Sequence, residues 1–259
     1  MPSRQLIIFD FDETIISVNS TRQLFQFIPN YRRPQKYDMQ KRGWIDYTNK
    51  AFKELHSMGY PANTMCKFIR TVPPVPGMVK LIHYLWNSSE PTYDLILISD
   101  GYRILISDWL EQHGIFHCFT GIYCNPSKIN DCGEVTVSGY HCAECPHSPQ
   151  NLCKRRVMEE FISMQKALNI KYDRVAYIGN GSGDFCPTLG LGSCDLVCAR
   201  KYDILAEKIQ QNRRKLKIKP EIYFWVSGYE LIAKLAQNKD TGNFKELPKP
   251  TSYGLVNSS

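Results

Sequence analysis

Short hydrophobic runs alternate with amphipathic stretches along most of this chain. Three runs that end at polar or glycine residues predict strands buried on both faces: residues 6–9, 95–98 and 175–178. Two weaker runs predict further strands: residues 195–198 and 222–226. Helical patterns lie between these runs: around residues 75–87, 101–113, 151–168 and 228–237. This alternation predicts an α/β fold, a Rossmann-like parallel sheet flanked by helices.

Residues 18–72 interrupt this alternation with an aromatic-rich helical pattern. Large apolar side chains recur there at roughly helical spacing: Phe25, Phe27, Trp44, Tyr47, Phe52, Leu55 and Phe68. The proline-rich stretch 72–77 predicts a stiff return linker, because proline fixes φ. We therefore expect a small inserted helical cap at 18–72, a catalytic core formed by 1–17 and 73–237, and a flexible tail at 238–259.

Polar residues follow the three clearest strands. Asp10 follows the first, Ser99 follows the second, and a glycine-rich segment that contains Asn180 follows the third. Ligands bind at the carboxyl ends of strands in parallel sheets of this kind. These three positions are therefore expected to converge at one crevice.

Two carboxylates, Asp10 and Asp12, lie in the segment Asp-Phe-Asp-Glu-Thr directly after the first predicted strand. Without a cation, the like charges of such a pair would raise one pKa strongly. Mg²⁺ would keep Asp10 ionised as a nucleophile toward phosphorus, while Asp12 carries a proton. An acidic helix N-cap is the alternative interpretation, and this segment alone leaves it open.

The same segment resembles the first signature of the haloacid dehalogenase superfamily in its phosphatase form. That superfamily places Ser or Thr after a second strand, then a lysine, then a glycine-acid cluster after a later strand. Ser99, Lys154 and residues 179–184 occupy these places in that order. The resemblance implies an aspartyl-phosphate intermediate at Asp10, with Asp12 as the general acid and then the general base.

The resemblance also implies how phosphate and magnesium are bound. Ser99 and the Gly101 amide, at the start of the following helix, would hydrogen-bond phosphate oxygens, and Lys154 would neutralise their charge. Four residues are implied as Mg²⁺ ligands: Asp10, Asp12 through its carbonyl, and Asn180 or Asp184.

Three further motifs narrow the resemblance: Asp-Phe-Cys-Pro at 184–187, Cys-Ala-Glu-Cys-Pro at 142–146 and Asn-Leu-Cys-Lys at 151–154. They are similar to the phosphoethanolamine/phosphocholine phosphatase and pyridoxal phosphate phosphatase group, over about residues 5–237. The implied substrate is a small phosphorylated metabolite.

The implied substrate head group is cationic, and Asp100 is implied to face it. Thr21 stands where the group commonly has a second acid. Trp44 or Tyr47 could compensate by cation–π attraction, or could belong to the core of a helix.

Two departures from the superfamily pattern keep alternatives open. Asn180 replaces an aspartate that usually binds the metal, which removes a negative charge from the magnesium shell, and Gly183 stands where relatives often have Asn. A catalytically weakened phosphate-binding pseudophosphatase is therefore one alternative. A dehalogenase is another, since it shares the nucleophilic Asp10 but needs neither magnesium nor Ser99.

The segment 118–150 predicts a hairpin and a cysteine-containing loop, with Val135 and Val137 alternating around a threonine. Four cysteines in and beside it are candidate ligands for structural zinc: Cys132, Cys142, Cys145 and Cys153. Only one pair has the tight C-x-x-C spacing, so a reduced loop packed on the core is the alternative.

Composition adds constraints on partners and location. The net charge of +7 would attract anions such as phosphorylated metabolites or nucleic acid. The basic run at 208–219 has no interleaved aromatic residues, so we interpret it as a solvated helix end and expect no nucleic-acid partner. No apolar run approaches a signal peptide or a membrane span, so we expect a cytoplasmic protein without a membrane partner. The oligomeric state stays unknown from the sequence.

Overall fold

A computed structural model of the chain describes residues 3–30, 43–142 and 144–236. The tail predicted at 238–259 lies outside the described residues, as does part of the predicted helical segment.

Eight strands are described, numbered in chain order: β1 Arg4–Phe9, β2 Thr92–Tyr102, β3 Gly121–Asn125, β4 Ser127–Ile129, β5 Val135–Val137, β6 Arg174–Gly179, β7 Leu196–Arg200 and β8 Glu221–Trp225. Six of them form a parallel sheet in the order β3-β2-β1-β6-β7-β8, and β4 pairs with β5 as an antiparallel hairpin. Phe9 at the end of β1 is in register with Leu97 of β2 and Ile178 of β6. The carboxyl ends of these three strands therefore lie side by side at one edge of the sheet.

The helices of the described ranges are α1 Ser20–Phe25, α2 Trp44–Ser57, α3 Ala62–Arg70, α4 Met78–Trp86, α5 Arg103–Gln112, α6 Lys154–Ala167, α7 Phe185–Thr188, α8 Ile204–Asn212 and α9 Gly228–Ala236, with 3-10 turns at Phe116–Cys118 and Ser182–Asp184. Within these ranges, no helix has the length and apolar character that a membrane crossing requires.

Both faces of the sheet are buried. Side chains alternate between the faces of a strand, so Ile7 and Phe9 join the core on the side of α4, α5 and α9, while Leu6 and Ile8 join the core on the side of α6 and α8. A strand covered on both faces reads as a continuous apolar run. This is why β1, β2 and β6 were visible in the sequence, and the predicted α/β parallel fold is confirmed.

The prediction for residues 118–150 was incomplete. The hairpin is present as β4 and β5, but β3, at Gly121–Asn125, joins the main sheet as its edge strand. Gly121, Ile122 and Tyr123 are half-buried, so β3 lacks the continuous apolar run by which buried strands are recognised.

The backbone before the helical segment that contains α1, α2 and α3 hydrogen-bonds the backbone after it. Ser17 donates its amide to the Pro73 carbonyl at 3.0 Å, and Val75 donates to the Ile15 carbonyl at 2.9 Å. The β4–β5 hairpin packs on this segment: the Asn49 side chain of α2 donates to the Val137 carbonyl at 2.9 Å and accepts from its amide at 2.7 Å. Helices and hairpin thus contact each other through directional bonds.

Candidate active site

Asp10 lies at the centre of the sheet edge, directly after β1, and is 4% exposed. Its amide donates to the Ile178 carbonyl at 2.9 Å, which extends the pairing of β1 with β6. The Phe11 amide donates to Asp10 Oδ1 at 2.7 Å. The strand end and this amide therefore fix the direction of the carboxylate.

Lys154, the first residue of α6, lies between the buried side chains of Asp10 and Asp184. Its Nζ lies 2.7 Å from Asp10 Oδ1 and 2.7 Å from Asp184 Oδ1, and the side chain is 2% exposed. Burial alone would lower the pKa of Lys154, but the charges of Asp10 and Asp184 outweigh it and hold that pKa above its ordinary value. Lys154 therefore favours its protonated form between Asp10 and Asp184.

Asp184 receives four donors. Lys154 Nζ and the Tyr177 hydroxyl, at 2.6 Å, donate to Oδ1, while the amides of Asn180 and Gly181 donate to Oδ2 at 3.1 and 2.8 Å. Burial would raise the pKa of Asp184, but the lysine charge and these hydrogen bonds hold it below its ordinary value. In this geometry Asp184 positions Lys154, and its role as a metal ligand stays a prediction.

Unlike Asp184, the acids Asp10 and Asp12 have raised pKa values. Burial and the charge of Asp184 raise the pKa of Asp10 well above its ordinary value, against the opposing charge of Lys154. Burial also raises the pKa of Asp12 to about 7, although the Ser20 amide donates to its Oδ1 at 2.9 Å. A carboxyl group with a pKa near neutrality can both give and take a proton.

Asn180 follows β6 and faces the Asp10 turn. Thr14 Oγ1 donates to Asn180 Oδ1 at 3.2 Å, and the Asn180 side chain also hydrogen-bonds Asp203. Gly179, just before it, permits the approach of Asp184, because a Cβ there would lie 2.6 Å from Asp184 Cγ. Glycine at this point is a packing requirement of the site.

Ser99 and Gly101 lie in a bulge of β2. The expectation that they begin the next helix is wrong, because β2 continues to Tyr102 and α5 begins at Arg103. The register of β2 against β3 shifts between Ile98 and Tyr102, so pairing with β3 keeps the bulged segment extended. The Gly101 amide donates to the buried Ser99 Oγ at 3.1 Å.

The bulge lies beside the other predicted site residues. A Cβ on Gly101 would lie 3.8 Å from Asp12 Oδ2, which puts this backbone against the Asp12 carboxylate. Asp100 is exposed, and its charge contributes to raising the pKa of Asp10 and of Asp12, after the larger effect of burial. The structure thus brings Ser99, Asp100 and Gly101 to the same sheet edge as Asp10.

The donor set at this edge fits Mg²⁺. The Asp10 carboxylate, the Asp12 carbonyl and Asn180 Oδ1 are hard oxygen donors of the kind that this ion prefers. The single hydroxyl contact to Asn180 Oδ1, at 3.2 Å, leaves that oxygen a second lone pair. Burial, then the charge of Asp184, raises the pKa of Asp10 despite Lys154, so a further cation beside Asp10 would favour its ionised form.

Sequence reasoning missed Tyr177 and Thr14. Tyr177 is fully buried in β6, and its hydroxyl hydrogen-bonds Asp184. A tyrosine inside a strand buried on both faces needs a partner for its hydroxyl, so its position in the third apolar run was an available signal. Thr14 ends the Asp-Phe-Asp-Glu-Thr motif, but the motif did not indicate its contact with Asn180, which is 166 positions away.

The four predicted zinc ligands are not brought together. Among the described residues, Cys145 and Cys153 instead form a group with Cys186, with sulfur–sulfur distances of 3.4 Å from Cys145 and 3.8 Å from Cys153 to Cys186. Cys132 lies in the β4–β5 turn, held against α2 by a histidine contact to its carbonyl, and Cys142 is exposed outside the group. Burial opposes thiolate formation at Cys145, but hydrogen bonds lower its pKa to about 7.

The residues considered for a head-group cage pack within the helices. The Trp44 and Tyr47 rings lie 5.6 Å apart at 31°, and the Tyr47 ring lies 5.9 Å from that of Phe25. Both are half-buried against the main core, and Thr21 is buried. This geometry is that of helix packing.

A parallel α/β sheet with a buried Asp10–Lys154–Asp184 chain at its carboxyl edge defines a phosphatase of the haloacid dehalogenase type. Residues 5–239 match the model of the family described as "Putative Phosphatase", and the chain belongs to this family. It is therefore a phosphomonoester hydrolase, which removes the dehalogenase from consideration.

Relatives with assigned names agree with this class. The chain is 32% identical to pyridoxal phosphate phosphatase PHOSPHO2 of Homo sapiens over 89% of this chain and 96% of that protein. It is 28% identical to the phosphoethanolamine/phosphocholine phosphatase of Gallus gallus over 83% and 80% of the two chains. Among solved structures, a phospho-aspartyl intermediate analogue of phosphoserine phosphatase superposes with a TM-score of 0.55 at 17% identity, over 90% of this chain and 99% of that one. That last likeness concerns the fold alone.

Proposed function

We propose that the protein hydrolyses a small phosphomonoester through a phosphorylated Asp10. Lys154 and Phe11 both donate to Asp10 Oδ1, so Oδ2 is the attacking atom. It forms a bond to phosphorus while the bond from phosphorus to the leaving oxygen breaks, and Asp12 gives its proton to that oxygen. Asp12 then takes a proton from water, whose oxygen attacks phosphorus and breaks the bond to Asp10.

The observation that carries this proposal is the Asp10–Lys154–Asp184 chain, with both distances at 2.7 Å and all three residues at most 4% exposed. A lysine held in this way presents a fixed positive charge beside the nucleophile, where phosphoryl oxygens accumulate charge. Ser99 and Gly101 in the β2 bulge are the proposed partners of the remaining phosphate oxygens.

Mg²⁺ is the proposed cofactor, with ligands from Asp10, the Asp12 carbonyl and Asn180, or Asp184 through an intervening water. When bound, it would neutralise phosphoryl charge and the excess of carboxylates around Asp10.

For the substrate, we propose pyridoxal phosphate, phosphoethanolamine or phosphocholine, the compounds in the names of the relatives. Exposed Asp100 beside the bulge is the acid available to a cationic head group. Thr21 is buried and uncharged, so it supplies no second charge. We propose the helical segment 18–72 as the cap that contacts the leaving group.

The test is phosphate release from these three esters after removal of divalent ions, with Mg²⁺ returned in steps. Asp10→Asn is expected to lower turnover at least about 10⁴-fold, the scale on which loss of a nucleophile is felt. Asp131→Asn, an exposed acid on the β4–β5 turn, is the matched control and should keep full turnover. Borohydride reduction of the quenched reaction should place homoserine at position 10. Turnover that survives in Asp10→Asn, or no reduced product there, would contradict the proposal.

Asn180 favours one second candidate, a phosphate-binding protein with little turnover. Its side chain is bonded to Thr14 and Asp203, and it contributes no charge to a metal. Asn180→Asp should lower the Mg²⁺ concentration that gives half-maximal activity. A wild-type chain without turnover, made active by this substitution, would establish the binding protein. An unchanged Mg²⁺ requirement would remove position 180 from the ligand set.

A further inference from the structure

Three cysteine sulfurs lie together beside the catalytic lysine. Cys186 Sγ is 3.4 Å from Cys145 Sγ and 3.8 Å from Cys153 Sγ, and all three lie within 4.8 Å of one another. Thiolates bound tetrahedrally to one Zn²⁺ at about 2.3 Å lie roughly 3.8 Å apart. The Cys153–Cys186 distance equals this spacing, the Cys145–Cys186 distance is 0.4 Å shorter (3.8 minus 3.4), and the remaining pair lies within 4.8 Å, so small side-chain shifts would let these sulfurs bind one ion.

The surroundings suit thiolate ligands. Cys153 and Cys186 are buried, and Cys145 is half-buried. The chain turns after Cys145, where the Ser148 amide donates to the Cys145 carbonyl at 3.3 Å and the His147 amide hydrogen-bonds the Cys145 sulfur. An amide directed at sulfur favours the charged form, which is the form that binds metals.

We propose that Cys145, Cys153 and Cys186 bind one Zn²⁺ ion. Zn²⁺ is the ion chosen because sulfur ligands select soft or borderline metals, whereas the oxygen donors around Asp10 select Mg²⁺. The two metal sites are chemically distinct.

The position of the three ligands gives the ion a structural role. Cys153 immediately precedes Lys154, and Cys186 comes two residues after Asp184. One ion would therefore join the loop at residues 144–151 to the neighbours of Lys154, which contacts Asp10, and of Asp184, which contacts Lys154. It takes no part in phosphoryl transfer, so its presence does not depend on the proposed reaction.

The direct test is the metal content of the full chain, purified under reducing conditions and loaded with zinc. One zinc per chain should remain after gel filtration. Cobalt in its place should give thiolate-to-metal charge-transfer absorption with intense tetrahedral d–d bands. Asp10→Asn should bind zinc equally, which separates this site from the proposed reaction.

Variants identify the ligands. Cys186→Ser and Cys153→Ser should each weaken zinc binding more than about 100-fold, since altering even a partner of a ligand costs roughly 10–100-fold. Cys132→Ser and Cys194→Ser are matched controls, exposed and outside the group, and should bind as the wild type does. Cys142→Ser should also bind normally. Circular dichroism identifies any variant that fails to fold, and the cobalt spectrum of the wild type remains decisive in that case.

Three results would overturn the proposal. One is reduced wild-type protein that retains no zinc and shows no thiolate-to-cobalt band. Another is loss of binding in Cys142→Ser, which would contradict the three-cysteine ligand set. The third is a Cys145–Cys186 disulfide, found by mass spectrometry without reductant, in a chain that binds no zinc when reduced.

Discussion

The catalytic edge of the sheet and the helical segment next to it are stabilised in different ways. At the edge, the charged side chains of Asp10, Lys154 and Asp184 are almost fully buried and joined by short ion pairs and amide hydrogen bonds. In the helical segment, aromatic rings pack edge to face, as Phe25 does with Phe52 at 5.7 Å. Two buried polar contacts between the regions are that of the Ser20 amide with Asp12 Oδ1 at 2.9 Å and that of the Thr48 and Tyr102 hydroxyls at 2.7 Å.

In the proposed function the sheet edge carries out the reaction and the helical segment contacts the leaving group, so this difference would separate the two roles. Directional bonds between buried charges allow little displacement, because an unpaired buried charge is costly. Aromatic packing tolerates substitutions that conserve volume, so the segment can change shape while the edge keeps its geometry. Relatives with different named substrates are consistent with such a division.

The largest effect should come from removing the cation at the catalytic edge. Lys154→Met leaves Asp10 and Asp184 buried without their shared partner, so the free energy of unfolding should fall by about 3–5 kcal/mol. Urea unfolding measures this. Lys166→Met, exposed on the same helix, is the matched control and should change stability by no more than about 0.5 kcal/mol.

A second variant sharpens that prediction. Adding Asp184→Asn to Lys154→Met removes one of the two unpaired charges, so it should restore part of the lost stability. If Lys154→Met were as stable as the wild type, the edge would not depend on its ion pairs, and the contrast with the helical segment would be lost.

The next effect concerns Tyr177, whose hydroxyl donates to Asp184. Tyr177→Phe should lower the free energy of unfolding by about 1.5–3 kcal/mol, the range for a hydrogen bond to a charged group. Tyr93→Phe is the matched control, because the Tyr93 hydroxyl is buried with no hydrogen-bond partner among the described residues. Its removal should be neutral or slightly stabilising. Equal losses in both variants would mean that ring packing, rather than the bond to Asp184, determines the result.

The hydrophobic pattern was sufficient to predict most strands of the sheet but not β3, one of its two outermost strands. The runs at β1, β2 and β6 could be predicted because burial on both faces makes a strand uniformly apolar. The half-buried β3 has no such pattern. The bulge at Ser99 depends on pairing with β3, including the Asn125 side chain that donates to the Asp100 carbonyl at 2.6 Å from 25 positions away. The sequence of β2 alone does not indicate that such a partner exists.

The site shows the same limit. Motif order indicated that Asp10, Lys154 and Asp184 belong together, and the structure places them in contact, while their catalytic roles stay predictions. The four cysteines predicted as zinc ligands do not lie together, because spacing along the chain was used as a guide to spacing in three dimensions. Cys186 meets Cys145 from 41 positions away, on the helix that follows Asp184.

A smaller effect is expected where the two regions meet. Thr48→Val leaves the buried Tyr102 hydroxyl without this partner, and Tyr102→Phe does the same to Thr48. Each should cost about 1–2 kcal/mol, and the double variant should cost less than the sum. Chemical denaturation of all four proteins gives the coupling energy. A coupling of zero would show that aromatic packing alone orients α2 over β2.

The smallest expected effect is a pH dependence of stability caused by His141, which contacts the residue before Lys154. The Cys153 amide, next to Lys154, donates to His141 Nε2 at 3.0 Å, so the ring must be unprotonated there. Burial, aided by the charge of Arg156, lowers the pKa of His141.

Because of this lowered pKa, the unfolded chain binds a proton at His141 more tightly than the folded chain does. The resulting stability is complete above the unfolded pKa of about 6.5 and is lost as the pH falls through the lower folded value. Unfolding by urea at about pH 7.5 and about pH 5 should show a smaller loss in His141→Gln, which cannot titrate, than in the wild type. Equal losses in the two proteins would mean that protonation of His141 does not contribute to the loss of stability at low pH.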